Sequence, residues 1–234
     1  MIIGINGKIG AGKDTVGKII QYLTLPGTRG EYIGFQTYDD FTLERNSSFK
    51  IKKFAGKLKT TASLLTGVPV EMFEDQEFKK LDMNPEWGMT YREFLQKLGT
   101  EAMRDGLHTN VWVNALFADY HPTPNKSMDE SFMEQFVTGR SEIHYALPKW
   151  IITDMRFPNE MEAVKERKGI TIRVVRPHGY TNPHTGEYKE MPLSYHSSET
   201  ALDDSKFDYE IINNGEIEDL VEKVKEILIK ENII

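Results

Sequence analysis

The chain contains no cysteine. Disulfide staples and thiolate metal sites are therefore excluded, and the composition fits a cytoplasmic protein. No apolar stretch approaches the roughly 18 residues of a membrane-spanning helix, so no membrane contact is expected. The first apolar run, Ile2 to Ile5, is too short for a signal peptide and leads straight into a glycine-rich turn. Positive charge is also in deficit: 29 Lys and Arg against 36 Asp and Glu leave a net charge of −7. A sequence-independent grip on nucleic acid needs a basic face, so nucleic acid is not an expected partner and a DNA-end kinase is disfavoured. A local basic cleft for small phosphates remains compatible with that balance. The six histidines include no H-x-x-x-H pair and no G-x-S-x-G elbow is present, so neither a zinc site nor a hydrolase serine is expected. No internal repeat appears.

What is present describes an ordinary globule. Its 234 residues, 39% hydrophobic and 28% charged, suffice for one α/β domain with insertions or for two small lobes. The informative stretch is the first twenty residues. Ile2, Ile3 and Ile5 read as a buried strand, and Val16, Ile19, Ile20 and Leu23 recur at helical spacing. Between them Gly7, Gly12 and Lys13 fit the G-x-x-x-x-G-K spacing of a phosphate-binding loop, with Gly10 inside it. Glycines let successive N–H groups converge on a phosphate, the helix start adds positive potential, and the lysine reaches the outer phosphates. The residue after the lysine is usually Ser or Thr, a Mg²⁺ ligand; here it is Asp14, followed by Thr15. A carboxylate can hold Mg²⁺ directly or through water, and it also suits a helix N-terminus; Thr15 could donate to an α-phosphate.

Further along, Ile33 to Tyr38 and Phe49 to Ala55 read as strands, with Asp39-Asp40 closing the first. Leu58, Ala62 and Leu65 mark a helix stopped by Gly67. Thr90 with Glu93 opens a helix through Gly106 by a capping box, with Phe94, Leu95 and Leu98 as its buried stripe. On that helix Arg92, Gln96 and Gly99 fall at i, i+4 and i+7. They suit a phosphate, a base edge and a close approach, or else a solvated face; spacing leaves both open. Residues 118–149 lack a period and read as an insertion. Trp150 to Asp154 is a buried parallel strand that delivers Asp154 to the sheet edge where ligands bind, a position suited to Mg²⁺ or its water. A helix from Pro158, a strand at Ile170 to Val175, a loop from about 177 to 199 long enough for a lid, a strand ending at Ile212 and a closing helix at Ile217 to Ile229 complete the chain. The alternation implies a parallel sheet with right-handed crossovers. The closing helix could pair with a second subunit, so a homodimer stays open, although its apolar face suits the sheet better.

Taken together, Gly12-Lys13-Asp14-Thr15, Phe54-Ala55 with Leu58-Lys59, Arg92-Glu93 with Gln96 and Gly99-Thr100-Glu101, Asp154-Met155-Arg156-Phe157 with Asn159-Glu160, His196 with Ser198-Glu199, and Asn213-Asn214-Gly215 resemble the phage-type deoxynucleoside monophosphate kinases. Asp14 agrees with that family although it departs from the general loop pattern. The resemblance implies an α/β phosphate-loop fold of three α/β/α layers around a mostly parallel five-stranded sheet. It also implies a monophosphate-binding lobe (about 39–110) and a lid (about 177–199) within one kinase domain. The activity implied is transfer of the ATP γ-phosphate to a deoxynucleoside monophosphate (dNMP), in host-cell cytoplasm if the chain is phage-encoded. By the same resemblance Gly7, Gly10, Gly12, Lys13, Asp14 and Thr15 would cradle ATP and Mg²⁺, with Asn213 and Asn214 near the adenine. Arg92 would grip the acceptor phosphate, with Gln96 near the base and Gly99 beside it. Asp154 would act at the metal and Arg156 on the transferring phosphoryl group, while Arg176 and His196 would flank the lid. The rivals are a kinase for another small phosphate acceptor, such as dephospho-coenzyme A, and a non-catalytic ATP-binding regulatory protein.

Overall fold

Five strands, β1 (Ile2–Asn6), β2 (Phe49–Lys52), β3 (Lys149–Ile152), β4 (Ile170–Val175) and β5 (Tyr209–Ile212), pair in parallel in the order β2-β3-β1-β4-β5. They belong to a computed structural model that describes residues 1–27, 39–124, 145–177, 180–181, 188–189 and 200–234. β1 takes the centre because it is apolar on both faces: Ile2 joins one core, Ile3 and Ile5 the other, and all three are fully buried. Each such burial contributes about 1.5–3 kcal/mol. Register places Ile3 opposite Ile151 on one side and Ile170 on the other.

On one face α1 (Lys13–Leu23) packs beside a C-terminal helix (Ile217–Lys230), whose buried stripe is Leu220, Val221, Val224, Ile227 and Leu228. On the other, the helices Val111–Phe117 and Pro158–Glu166 cover Trp150, Ile152 and Met155. The result is the three-layer α/β/α fold expected of a phosphate-loop protein. Among the described residues no helix is long and apolar enough to cross a membrane. Two short antiparallel ladders pair Thr123–Pro124 with Tyr145–Ala146 and Tyr180–Thr181 with Tyr188–Lys189. The expected strand at Ile33 to Tyr38 lies outside the described residues, as does most of the segment read as a lid.

A third, smaller core gathers Ala62, Phe73, Met83 and Phe94. It holds a lobe made of α3 (Phe54–Thr66), two 3-10 turns (Val70–Phe73 and Phe78–Lys80), α4 (Tyr91–Gln96) and a π-helical segment, Lys97–Asp105. Here the sequence expectations need correction. β2 ends at Lys52 rather than running to Ala55, because Phe54 already opens α3. Asp39-Asp40 does not close a strand: Asp39 Oδ1 accepts from the Thr42 N–H at 2.7 Å and caps a short helix, α2 (Asp40–Asn46). The helix expected from Thr90 to Gly106 does start with the capping box, but its second half widens to π turns. A π turn advances fewer degrees per residue than an α turn, so i+7 no longer returns to the starting face.

Candidate active site

The phosphate loop lies between the C-terminal end of β1 and the first turn of α1. Gly12 adopts φ +100, in the left-handed region, and a Cβ there would stand 2.6 Å from Asn213 Nδ2. At Gly7 a Cβ would meet the Val174 carbonyl, and Gly10 also has positive φ, at 77. Lys13 Nζ donates to the Gly7 carbonyl at 2.6 Å and the Lys8 carbonyl at 2.9 Å, so the ammonium lies over the loop. Thr15 follows half-buried in the first turn of α1. Asn213, buried at the end of β5, donates from Nδ2 to the Ala11 carbonyl at 2.8 Å and so braces the loop from behind. Asn214 is exposed, and its Oδ1 accepts from Lys223 Nζ at 3.2 Å. Arg176 Nη1 donates to the Gly10 carbonyl at 3.3 Å, which places it against the loop.

Asp14 is tied to the neighbouring strand end. Its Oδ1 accepts from Thr153 Oγ1 at 2.7 Å, and Lys53 Nζ stands 3.4 Å from the same oxygen. Burial works to raise its pKa, but the Thr153 hydroxyl and the Lys53 ammonium outweigh it and hold the carboxyl below its ordinary value. α1 approaches closely enough for this contact because position 17 is glycine; a Cβ there would be 2.8 Å from Thr153 Cγ2.

Asp154, the next residue, faces differently. Its Oδ1 accepts from the Phe54 N–H at 2.8 Å and its Oδ2 from the Ala55 N–H at 2.9 Å. It therefore caps α3, supplying acceptors to two of the N–H groups that a helix start leaves unpaired. The residue keeps intermediate surface exposure while its carboxyl is enclosed, and burial pushes its pKa up despite those N–H donors and the charges of Arg156 and Lys53. Among the described residues no cluster of three or more acidic or histidine side chains gathers as a ready metal site.

Arg156 follows the strand end, and its charge acts on both Asp154 and Lys79. Its backbone is fixed by Glu160, whose Oε2 accepts the Arg156 N–H at 2.7 Å and the Phe157 N–H at 3.0 Å. Glu160 Oε1 meets Arg104 Nη2 at 3.4 Å, and the Arg104 guanidinium lies over the Phe157 ring. Burial and the charge of Asp154 push the Glu160 pKa up to about 7, against the two N–H donors and Arg104.

The lobe supplies the facing wall. Arg92 and Gln96 are both exposed on α4, and Arg92 Nη2 donates to Gln76 Oε1 at 3.1 Å. The structure separates Gly99 from them: it is buried, its carbonyl accepts from Trp112 Nε1 at 2.9 Å, and a Cβ would stand 2.8 Å from Leu58 Cδ2. Its close approach is thus to α3. His196 lies outside the described residues. Sequence reasoning missed Thr153, Lys53, Lys79, Glu74 and the Glu160–Arg104 pair as site residues. Only the Thr153-Asp154 pair at a strand end carried a local signal.

A parallel sheet in this strand order, with a glycine loop and lysine at the central strand's C-terminal end, defines a phosphate-loop nucleotide-binding protein. Its crevice opens where connections leave the central strands toward opposite faces. A family profile described as deoxynucleotide monophosphate kinase matches residues 28–224. The chain belongs to that family. The match starts after the phosphate loop, so the loop assignment stands on its own geometry. The chain is also 26% identical over 204 residues, covering 83% of it and 90% of its relative, to a protein of Acanthamoeba polyphaga mimivirus whose name places it among the deoxynucleotide monophosphate kinases.

Proposed function

We propose that this kinase transfers the γ-phosphate of ATP to the 5′-phosphate of a dNMP, giving the diphosphate. What supports the reading is a glycine loop with Lys13 folded over it at the end of the central strand, and a cluster of lobe cations close by, linked to the loop through Lys53 and Asp14. The loop suits a triphosphate tail on backbone N–H groups, and the cluster a phosphate dianion on side-chain cations.

The reaction asks for little covalent chemistry from the protein. Negative charge spreads over the transferring group's oxygens, and the acceptor is already a dianion that requires no strong base. Lys13 would steady the β and γ phosphates and Arg156 the transferring group, with Arg92 holding the acceptor and Gln96 reaching toward its base. Gly7, Gly10 and Gly12 would let the loop follow the phosphate chain, and Thr15 would donate to the α-phosphate. Arg176 would flank the triphosphate beside Gly10. Asn213 and Asn214 would lie near the adenine, with His196 at the lid.

The donor set fits Mg²⁺: Asp14 offers a hard, anionic oxygen beside the loop, and a Mg²⁺ site of one or two carboxylates with nucleotide oxygens and water is a common arrangement. When bound, Mg²⁺ would neutralise charge on the phosphate oxygens. Asp14 would hold it, oriented by Thr153, and Asp154 would act on it through water while capping α3. Coupled assays with ATP·Mg²⁺ and each of the common dNMPs test the reading. Turnover of at least one dNMP is expected, whereas ATP binding without phosphorylation of any dNMP overturns it.

A further inference from the structure

Five cations gather where the lobe meets the end of the sheet: Lys79 on the second 3-10 turn feels the charges of Lys59 on α3, Arg92 on α4 and Arg156 beyond β3, and Lys53, between β2 and α3, shares a carboxylate with Lys59. Among them stands Glu74, directly after the first 3-10 turn, while Asp14 borders the cluster at Lys53 and Asp154 at Arg156. Glu74 Oε1 lies 2.5 Å from Lys59 Nζ and its Oε2 lies 3.9 Å from Lys53 Nζ. Lys59 is only 12% exposed, so an ammonium on a helix side has been drawn largely out of water with Glu74 as its carboxylate partner. Lys53 then stands 3.4 Å from Asp14, so one lysine separates the Glu74 carboxylate from the phosphate loop.

We propose that Lys53, Lys59 and Lys79 form, with Arg92, the cradle for the acceptor's phosphate, and that the Glu74 carboxylate occupies this cradle until a nucleoside monophosphate displaces it. The proposal rests on the kinase reading for the identity of the acceptor, though not for the presence of an anion site. A carboxylate and a phosphate present similar oxygens to an ammonium, but the phosphate dianion brings twice the charge and a third oxygen, so it outcompetes Glu74 once bound. The crowding agrees. Burial and the charges of Lys59, Arg92 and Arg156 depress the Lys79 pKa against the pull of Glu74, so cations outweigh the carboxylate at Lys79. Glu74 follows a 3-10 turn and is half-exposed, so it can swing toward solvent without unfolding a helix. Resting there, it spares four clustered cations their mutual repulsion while the site is empty.

Calorimetric titration of dTMP, dGMP and inorganic phosphate into the full chain tests this. Glu74→Gln removes the competing charge and should tighten all three by about threefold or more. Lys59→Gln should weaken all three by about tenfold or more, since it deletes a charge-assisted contact. ATP affinity should stay unchanged in both variants. If Lys59→Gln does not fold, Lys79→Gln carries the same expectation. A Glu74→Gln protein that melts like wild type yet binds the three probes no more tightly overturns the proposal. If dNMPs are phosphorylated with a KM indifferent to Glu74 and Lys59, the cradle falls and the kinase reading stands. If no dNMP is phosphorylated but phosphate binding responds as described, the cradle stands and the acceptor assignment falls.

Discussion

The two sides of the cleft are built by different means. On the phosphate-loop side the loop and its lysine come from one stretch of fifteen residues seated on the largest core, with Ile3, Ile5, Val16, Ile19 and Ile20 fully buried beneath it and Asn213 and Arg176 against it. Its donors are backbone N–H groups whose directions are set by φ and ψ. The lobe side stands on four buried residues, and its cations are long side chains drawn from separate elements, Lys59 from α3, Lys79 from the second 3-10 turn and Arg92 from α4. Leu64 on α3 is even left 83% exposed. A backbone cradle is rigid because moving it breaks a strand and a helix together, whereas a side-chain cradle can rearrange by rotamer changes. The difference therefore predicts a fixed site for ATP and an adaptable one for the acceptor, with amide exchange faster in the lobe than in β1 and α1.

The largest effect that would break this contrast is at Lys13. On the proposed function Lys13→Ala should lower kcat by about a thousandfold, because it would remove a cation from the charge that develops in the transition state. Acceptor binding should stay unchanged in the same variant. Near-normal turnover would remove the loop from the chemistry, and a parallel loss of dNMP affinity would mean that the two sides are not separate.

Glu160 is the joint between the sides, since it holds the Arg156 backbone and the Arg104 guanidinium of the π-helical segment at once. Its folded pKa, about 7, lies above the ordinary value of 4.5, so the folded state favours the protonated form. The sign follows: with respect to this group stability is greatest below about pH 4.5, falls as pH rises toward 7, and then levels, by up to about 3 kcal/mol. Glu160→Gln cannot ionise. The difference in unfolding free energy between the variant and wild type should therefore shift in the variant's favour between about pH 5 and 7. Denaturation curves that stay parallel across that range would show that the carboxyl remains charged throughout.

Arg92→Ala comes next. It should raise the acceptor KM by about 10–100-fold while leaving the KM for ATP alone, as expected for a charge-assisted contact to one substrate only. A matched rise in both would place Arg92 on the shared transition state instead.

The same contrast explains what could be read from the sequence. The phosphate loop was legible because its function needs glycines and a lysine at fixed spacing, and β1, α1, β4 and the closing helix because burial imposes a period. The lobe's cradle was not. Lys53, Lys59 and Lys79 have no mutual spacing, and they meet only because α3 and the two 3-10 turns fold over one another. Gly99 does not share a face with Arg92 and Gln96 because the π turns that begin at Lys97 advance fewer degrees per residue than the α spacing assumes. Asp154 was expected at the strand end and is there, but its tie to the Phe54 and Ala55 N–H groups depends on where α3 begins, and apolar patterning had assigned those residues to a strand.

The smallest effect concerns the place where the two sides touch, the Thr153–Asp14 bond. Thr153→Val keeps the branched shape that packs against Gly17 and deletes only the hydroxyl. Asp14 then loses a donor that holds its pKa down, while Lys53 remains at 3.4 Å. If the carboxylate serves Mg²⁺, its orientation matters, and the Mg²⁺ concentration for half-maximal activity should rise about three- to fivefold, about 1 kcal/mol and so a part of what a hydrogen bond to a charge contributes. Thermal stability should fall slightly in either case. An unchanged Mg²⁺ requirement with that same loss of stability would confine Asp14 to the helix end and to its pairing with Lys53.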